Sequence, residues 1–203
     1  MKKLNLFICA AATAFALQAC NSSTKSSTDV AADSNANKDT SSMSSATDTT
    51  AKVSGEVMKV DKDDADFAVT AANGGMAEVQ IAQLAQQKAE STDVKDFAAK
   101  MITDHTKANN QLMALAKQKN ITLPAALGDD EQKILTDLSK KSGKEFDKAY
   151  VKAMVEDHEK DVKLFTDEAK DAKDADLKTF AGTTLPTLKM HETMIKAIDK
   201  KMN

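Results

Sequence analysis

A chain of 203 residues with 4% aromatics, rich in Ala, Lys, Asp and Leu or Met, suits one helical domain with extensions and argues against a sheet protein. Its formal charge is −3, with Lys and Asp/Glu interspersed, and every basic residue is Lys. Without Arg there is no bidentate reading of phosphate or guanine, which argues against nucleic acid as a partner. The two cysteines, Cys9 and Cys20, leave the rest of the chain with no disulfide and no thiolate metal site.

Lys2 and Lys3 precede an apolar run from Leu4 to Leu17. The run is short for a membrane span, which needs about 20 residues, and suits the apolar region of a signal peptide. It ends Leu17-Gln18-Ala19-Cys20. This resembles the bacterial lipoprotein signal, cut before a cysteine that is then lipidated, with Gln18 in place of the usual small residue. An ordinary secretory signal cut near Ala19 is the alternative. Residues 1–20 are therefore expected to be a lipoprotein signal peptide, with lipidated Cys20 joining the chain to a membrane. Asn21, not Asp, follows the cysteine, so the resemblance implies an outer-membrane lipoprotein facing the periplasm. Residues 21–60 are Ser, Thr, Asp, Ala, Asn and Lys with isolated Val and Met. Such a segment cannot offset its chain entropy by apolar burial and is expected to be a disordered tether, with a reach of about 35 Å.

Residues 61–203 carry helical periodicity. A first long helix is expected from N-caps at Asp63-Asp64 to about Glu90, with Phe67, Ala71, Gly74, Glu78, Ile81 and Ala85 on one stripe. The Gly74-Gly75 pair inside it is read as a place of close packing in a continuous helix. A second runs from about Thr92 to Lys119, with Met101, His105 and Leu112 on its stripe and Asn120 as C-terminal cap before Leu123-Pro124. A long connection follows, with a short helix opening at Gly128-Asp-Asp-Glu and closing at Gly143. Antiparallel neighbours need only a short loop, so a connection with its own helix is read as a crossover along a bundle. A third helix spans about Lys144 to Ala172, with Met154, His158 and Phe165 inward. A fourth spans about Ala175 to Lys201, with Leu188, His191 and Ile195 inward and Pro186 inside it. The Pro186 ring faces the carbonyl of Gly182, where a kink is tolerable.

One phrase occurs twice: Met101-Ile-Thr-Asp104-His105 and Met154-Val-Glu-Asp157-His158. With hairpin turns near 91–92 and 173–174 and the second and third helices parallel, His105, His158, His191 and Glu78 fall at one level of the core, within about one helical turn. The segments Ala71-Ala-Asn-Gly-Gly-Met-Ala-Glu78, Met101-Ile-Thr-Asp-His105, Phe146-Asp-x-x-Tyr150, Met154-Val-Glu-Asp-His158 and Leu185-Pro-Thr-Leu-Lys-Met-His191 look like the bacterial domain-of-unknown-function 4142 family. The resemblance implies an all-α, ferritin-like four-helix bundle in the bacterial envelope, and it supplies no established activity.

The polar level has two readings. The one placed first is a buried hydrogen-bonded network that fixes the register of similar helices, with Met101 and Met154 filling the core. It makes the chain a non-catalytic envelope module for binding or stress tolerance, with no protein partner named by the residues. The alternative is one Cu, Zn or Fe ion held by His105, His158, His191 and Glu78, since imidazole and carboxylate suit these metals. Asp104 and Asp157 would orient imidazoles in that reading, with Met101 and Met154 a soft sulfur layer beside them that tilts the choice towards copper; otherwise the two acids bridge helices or meet solvent. A carboxylate-bridged di-iron centre is not expected. Ile102, Val155 and Leu188 stand three residues before the histidines, where ferritin-like di-iron proteins place Glu on two helices. The series Glu145, Asp147, Glu156, Glu159, Asp161 is read as a wet face paired with Lys. No nucleophile turn or phosphate loop is present, so enzymatic activity finds little support.

Overall fold

A computed structural model of the chain describes residues 25–40 and 60–202. Six helices are present among them: α1 Ser27–Thr40, α2 Lys62–Lys88, α3 Thr92–Gln118, α4 Asp129–Ser139, α5 Gly143–Asp171 and α6 Ala175–Met202. The four long ones form a ferritin-like bundle of two hairpins, α2 on α3 and α5 on α6, with α2 also on α5 and α3 on α6. The all-α class and the crossover carrying a short helix are as the periodicity predicts. α4 travels along α2 and delivers the chain to the start of α5, so α3 and α5 run parallel. No helix among the described residues is long and apolar enough to cross a membrane. The expected signal peptide over 1–20 and its Cys20 lie outside the described residues.

Local chemistry sets the helix ends. The side chain of Asp61, not Asp63 or Asp64, caps α2 by accepting from the Asp63 N–H at 3.1 Å. Ser91 caps α3. At the other end of α3, Asn120 takes a left-handed φ of 56° while the Ile121 N–H donates to the Ala116 carbonyl at 2.8 Å. This is a Schellman ending with Asn in the usual glycine place, closed by buried Ile121 against buried Ala116. α2 runs unbroken through Gly74-Gly75, and a Cβ on Gly75 would stand 2.1 Å from Asn109 Oδ1. The missing side chain is thus what lets α3 approach α2.

Each hairpin turn is closed by a buried Asp from the other hairpin. Asp147 of α5 accepts from the Glu90 and Ser91 N–H groups at 3.1 and 2.8 Å. Asp64 of α2 accepts from those of Lys173 and Asp174 at 3.2 and 2.6 Å. Both stand three residues before a buried aromatic, Tyr150 and Phe67. The Phe146-Asp-x-x-Tyr150 motif is therefore a turn clamp, and Asp147 does not belong to the wet face expected for it.

The expected tether over 21–60 is corrected at Ser27–Thr40, which is helix α1 packed on the bundle. Its apolar contribution is small: among its described side chains Ala31 alone is buried. Polar contacts to the α3–α4 connection hold it. Asn35 exchanges hydrogen bonds with the Thr122 backbone at 2.9 and 2.7 Å, Lys38 donates to the Asn120 carbonyl at 2.7 Å, and Ser27 Oγ accepts from Ala125 and Ala126 at 2.9 and 3.0 Å. A test for apolar periodicity cannot find such a helix.

The core is split into two. One half holds Phe97, Met101, Phe146, Tyr150, Met154 and Ile195. The other holds Phe67, Leu112, Phe165, Leu177, Phe180 and Leu188, with the three Phe rings in mutual contact at 5.1–6.4 Å. Between Met101 and Leu112, Met154 and Phe165, and Leu188 and Ile195 stand His105, His158 and His191. A polar waist thus divides the bundle. Asp147→Ala leaves two turn N–H groups without their acceptor. It should lower the unfolding free energy by about 2 kcal/mol, and Asp147→Asn by less, as measured by urea denaturation of the metal-free protein.

Candidate metal centre

The waist is assembled by one residue from each long helix: Glu78 from α2, His105 from α3, His158 from α5 and His191 from α6. All four are buried. The imidazoles form a near-equilateral triangle, with centroids 5.7, 5.3 and 5.6 Å apart. Phe97 lies edge-on against His158 and His191 at 6.1 and 6.0 Å and closes the layer on the methionine side. Met101 and Met154 are buried in that half-core. The structure therefore brings the four residues expected at one level into one layer.

Each ring has one nitrogen committed outward. His158 Nδ1 donates to the Met154 carbonyl at 3.0 Å, which leaves Nε2 as a buried lone pair without a hydrogen-bond partner. His191 Nε2 donates to Asp104 Oδ2 at 2.8 Å, which leaves Nδ1 facing inward. His105 Nδ1 is 2.6 Å from Glu78 Oε2, and its Nε2 is 3.3 Å from His191 Nδ1. Glu78 Oε1 is 3.5 Å from His158 Nε2, and neither Glu78 oxygen is met along a hydrogen-bond direction. One donor atom from each of the three histidines lies within 4.8 Å of the others.

Carboxyls crowd this layer without a buried lysine among the described residues. Burial pushes Glu78 well above the usual carboxylate range, and Asp157 beside it adds to the rise. Burial raises Asp157 to about 6. Burial, then Glu78 and Asp157, raises Asp161. A protonated Glu78 suits the metal-free layer: it removes a buried charge beside His105, while His105 Nε2–H serves His191 Nδ1 and His191 Nε2–H serves ionised Asp104. Burial disfavours charge on Asp104 too, but hydrogen bonds from His191 and Lys100 outweigh it and hold its carboxyl low. Burial lowers His105, takes His158 to about 3, and takes His191 to about 4 against the pull of Asp104. All three imidazoles are neutral near pH 7, the form a metal requires.

Asp104 bridges α3 to α6 through His191. Asp157 is half-buried beside Glu78 and His158, and donor atoms of these three residues also lie within 4.8 Å of one another. Asp161, like Asp147, departs from the wet face expected for it: it is half-buried in the waist. It lines a cavity of about 20 Å³ together with Glu78, Asp104, His105 and Asn109, room for about one water or ion. The i, i+4 spacing of Asp157 and Asp161, continuing past His158, was the available signal.

One pair of nitrogens in the layer already stands at the spacing an ion requires, and the third lies within 4.8 Å of both. Two ligand nitrogens about 2.05 Å from one tetrahedral ion stand about 3.3 Å apart. His105 Nε2 and His191 Nδ1 stand 3.3 Å apart with no movement. His158 Nε2 supplies a third lone pair with no other use.

A family model described as domain of unknown function (DUF4142) matches residues 42–198. No curated protein matches the sequence significantly. Among solved structures, a DUF305 fragment from Deinococcus radiodurans is similar with a TM-score of 0.62 at 10% identity, covering 70% of this chain and 98% of that one. CopM in its Cu(II)-bound form is similar with a TM-score of 0.60 at 16% identity, covering 69% and 97%. CopM in its Cu(I)-bound form gives 0.58 at 17%, covering 68% and 96%. At these identities the likeness shows the shared helical-bundle fold.

The lowered imidazoles set the sign of an acid limb. A histidine whose folded pKa is depressed takes up its proton first in the unfolded chain, so stability falls as pH drops below about 6.5. For His158 the loss continues to about pH 3. By pH 5 it is on the order of 2 kcal/mol, at 1.36 kcal/mol per unit. In chelator-treated protein, His158→Gln should flatten urea stability between pH 7 and pH 5 relative to the parent chain. An unchanged slope would show that this imidazole does not govern the acid limb.

Proposed function

The chain belongs to the DUF4142 family, and we propose that its polar waist holds one transition-metal ion, copper foremost. The observation that carries this reading is the convergence of three imidazole nitrogens whose partner nitrogens are occupied by Met154 O, Asp104 and Glu78. A buried network needs donors matched to acceptors. In this layer the lone pair of His158 Nε2 stays unmatched, and carboxyls gather without a buried lysine among the described residues. A cation relieves both.

His105 Nε2, His158 Nε2 and His191 Nδ1 would hold the ion. Glu78, once ionised, would accept from His105 Nδ1–H or join the ligands. The ion supplies a positive charge and Lewis acidity at the centre of the layer. Asp104 fixes the His191 ring and its tautomer, the role carboxylates commonly take behind a ligating histidine. Glu78 must lose the proton that its burial favours, so uptake is coupled to proton release and weakens in acid. Nitrogen-rich sites rank Cu(II) above Zn(II) and Fe(II). The similarity in fold to CopM, solved with Cu(I) and with Cu(II), supports the same choice. Binding, not turnover, is the activity proposed, and it takes up the alternative read from the sequence, a His and Glu metal layer, over the binding or stress-tolerance module placed first there.

We also infer that the bundle is tethered to the envelope membrane, on the strength of Lys2, Lys3, the apolar run and Ala19-Cys20. Palmitate labelling in the native host should be lost in Cys20→Ser, and labelling that persists would overturn the anchor.

Metal analysis of chain purified without a histidine tag should find one copper per protein. His158→Ala and His105→Ala should abolish that stoichiometry. Asp104→Asn should weaken affinity about 10- to 100-fold while the chain stays folded. Cu(II) spectra should show nitrogen ligation. Undiminished copper in both histidine variants would place the ion elsewhere, and the absence of any copper would overturn the reading.

A further inference from the structure

A second feature lies at the far end of the bundle, away from the histidines. The first turns of α2 and the last turns of α5 enclose an open cleft of about 350 Å³. Its wall is acidic: Asp63 and Asp66 from α2, and Asp167, Glu168 and Asp171 from α5. Lys173 is the one base lining it, and it is turned to Asp61 at 2.7 Å. Asp66, Asp167 and Asp171 have lysine partners on their own strip of surface, Lys62, Lys163 and Lys170. Those pairs are solvent-exposed and hold little. Asp64 is occupied by the backbone of the α5–α6 turn.

Glu168 is different. It is 8% exposed, and its Oε1 is buried with no hydrogen-bond partner. Burial, then repulsion by Asp64, Asp174 and Asp63, raises it to about 7. It also stands in the last turn of α5, where the helix dipole is negative and an acid is disfavoured. A carboxyl kept in such a place has no partner from the protein, and a cation bound beside it would relieve its charge.

The kind of cation follows from the walls. Among the described residues, the trios of donors that converge closely enough for a metal ion are in the waist, not in this cleft. The cleft is far larger than an ion and has an apolar side formed by Phe67, Leu164 and Ala172. A charge at each end of an aliphatic body matches it: ammonium groups for the acids, methylenes for the apolar wall.

We propose that this cleft binds a linear aliphatic polyamine, with one ammonium on Glu168, a second on the Asp66, Asp167 and Asp171 rim, and the methylene chain against Phe67 and Leu164. The site is independent of the metal reading.

Calorimetric titration of the full chain with spermidine, at fixed ionic strength, tests it. One spermidine should bind per chain, with putrescine weaker. Glu168→Gln should lower affinity at least about tenfold, since it removes the charge-assisted bond. It should also raise the melting temperature of the ligand-free chain above pH 8, because it removes an uncompensated carboxylate. Thr70→Lys, at the exposed rim, supplies a tethered ammonium with Glu168 intact and should compete in the same way. His158→Ala should leave spermidine binding unchanged. No binding, equal affinity in Glu168→Gln and Thr70→Lys, or displacement by Mg²⁺ at matched ionic strength would overturn the proposal. The last outcome would mean a diffuse acidic surface and not a site.

Discussion

Glu78 places a carboxyl at the centre of a helical core, 2.6 Å from one imidazole and 3.5 Å from another. An ionised group there without a partner would be strongly destabilising, so its charge must be neutralised by a proton or by a cation. The rest of the waist follows from that demand. His105 meets Glu78, His191 meets His105, and Asp104 ends the chain of contacts at the bundle surface. One residue from every long helix takes part, so a register shift in any helix would break it. The layer can fix the bundle register as a hydrogen-bonded network and still be a seat for an ion. Those two readings differ in whether the third imidazole, His158, has an inward partner, and it has none.

The waist depends on ends that are held firmly. Asp64 and Asp147 each reach from one hairpin to cap the turn of the other. This reciprocal clamp sets the relative height of the two hairpins, and the height brings His105 and His158 level. The Asp-x-x-aromatic spacing at Asp64–Phe67 and Asp147–Tyr150 stands on the first helix of each hairpin. The repeated Met-x-x-Asp-His phrase lies on α3 and α5, which are not equivalent members of those hairpins. The repeats therefore bring two histidines to one layer from parallel helices and not from symmetry-related ones.

How much of this could be read from the sequence depends on what carries each feature. The long helices are driven by apolar stripes and stopped by Asn120, Pro124 and Gly143, so their limits and the level of the four polar residues were legible. α1 was not, because it is seated by side-chain amides, hydroxyls and Lys38 on a loop, and only Ala31 is buried among its described side chains. Asp147 and Asp161 were misread for one reason: an acidic series on a helix says nothing about which member turns inward. That depends on bundle rotation, which is set by contacts such as Gly75 against Asn109. The cleft around Glu168 was illegible for the same reason, since its acids come from helices about a hundred residues apart in sequence.

The placement of the carboxyls argues for chemistry unlike that of a ferritin-like di-iron centre. There, Glu three residues before a His puts both on one side of the helix, and two such helices bridge a metal pair. Here the position three before each histidine is Ile102, Val155 or Leu188. Acids stand instead one residue before His105 and His158, and three after His158 at Asp161. An acid at i−1 is rotated about 100° from the imidazole, so Asp104 reaches a neighbouring helix and grips His191 there. An acid at i+3 returns to the same face on the opposite side of the layer, where Asp161 lines the small cavity. The carboxyls thus surround a nitrogen-lined centre without bridging across it. In the proposed reading, that division of labour suits one borderline-soft ion better than a pair of hard ones.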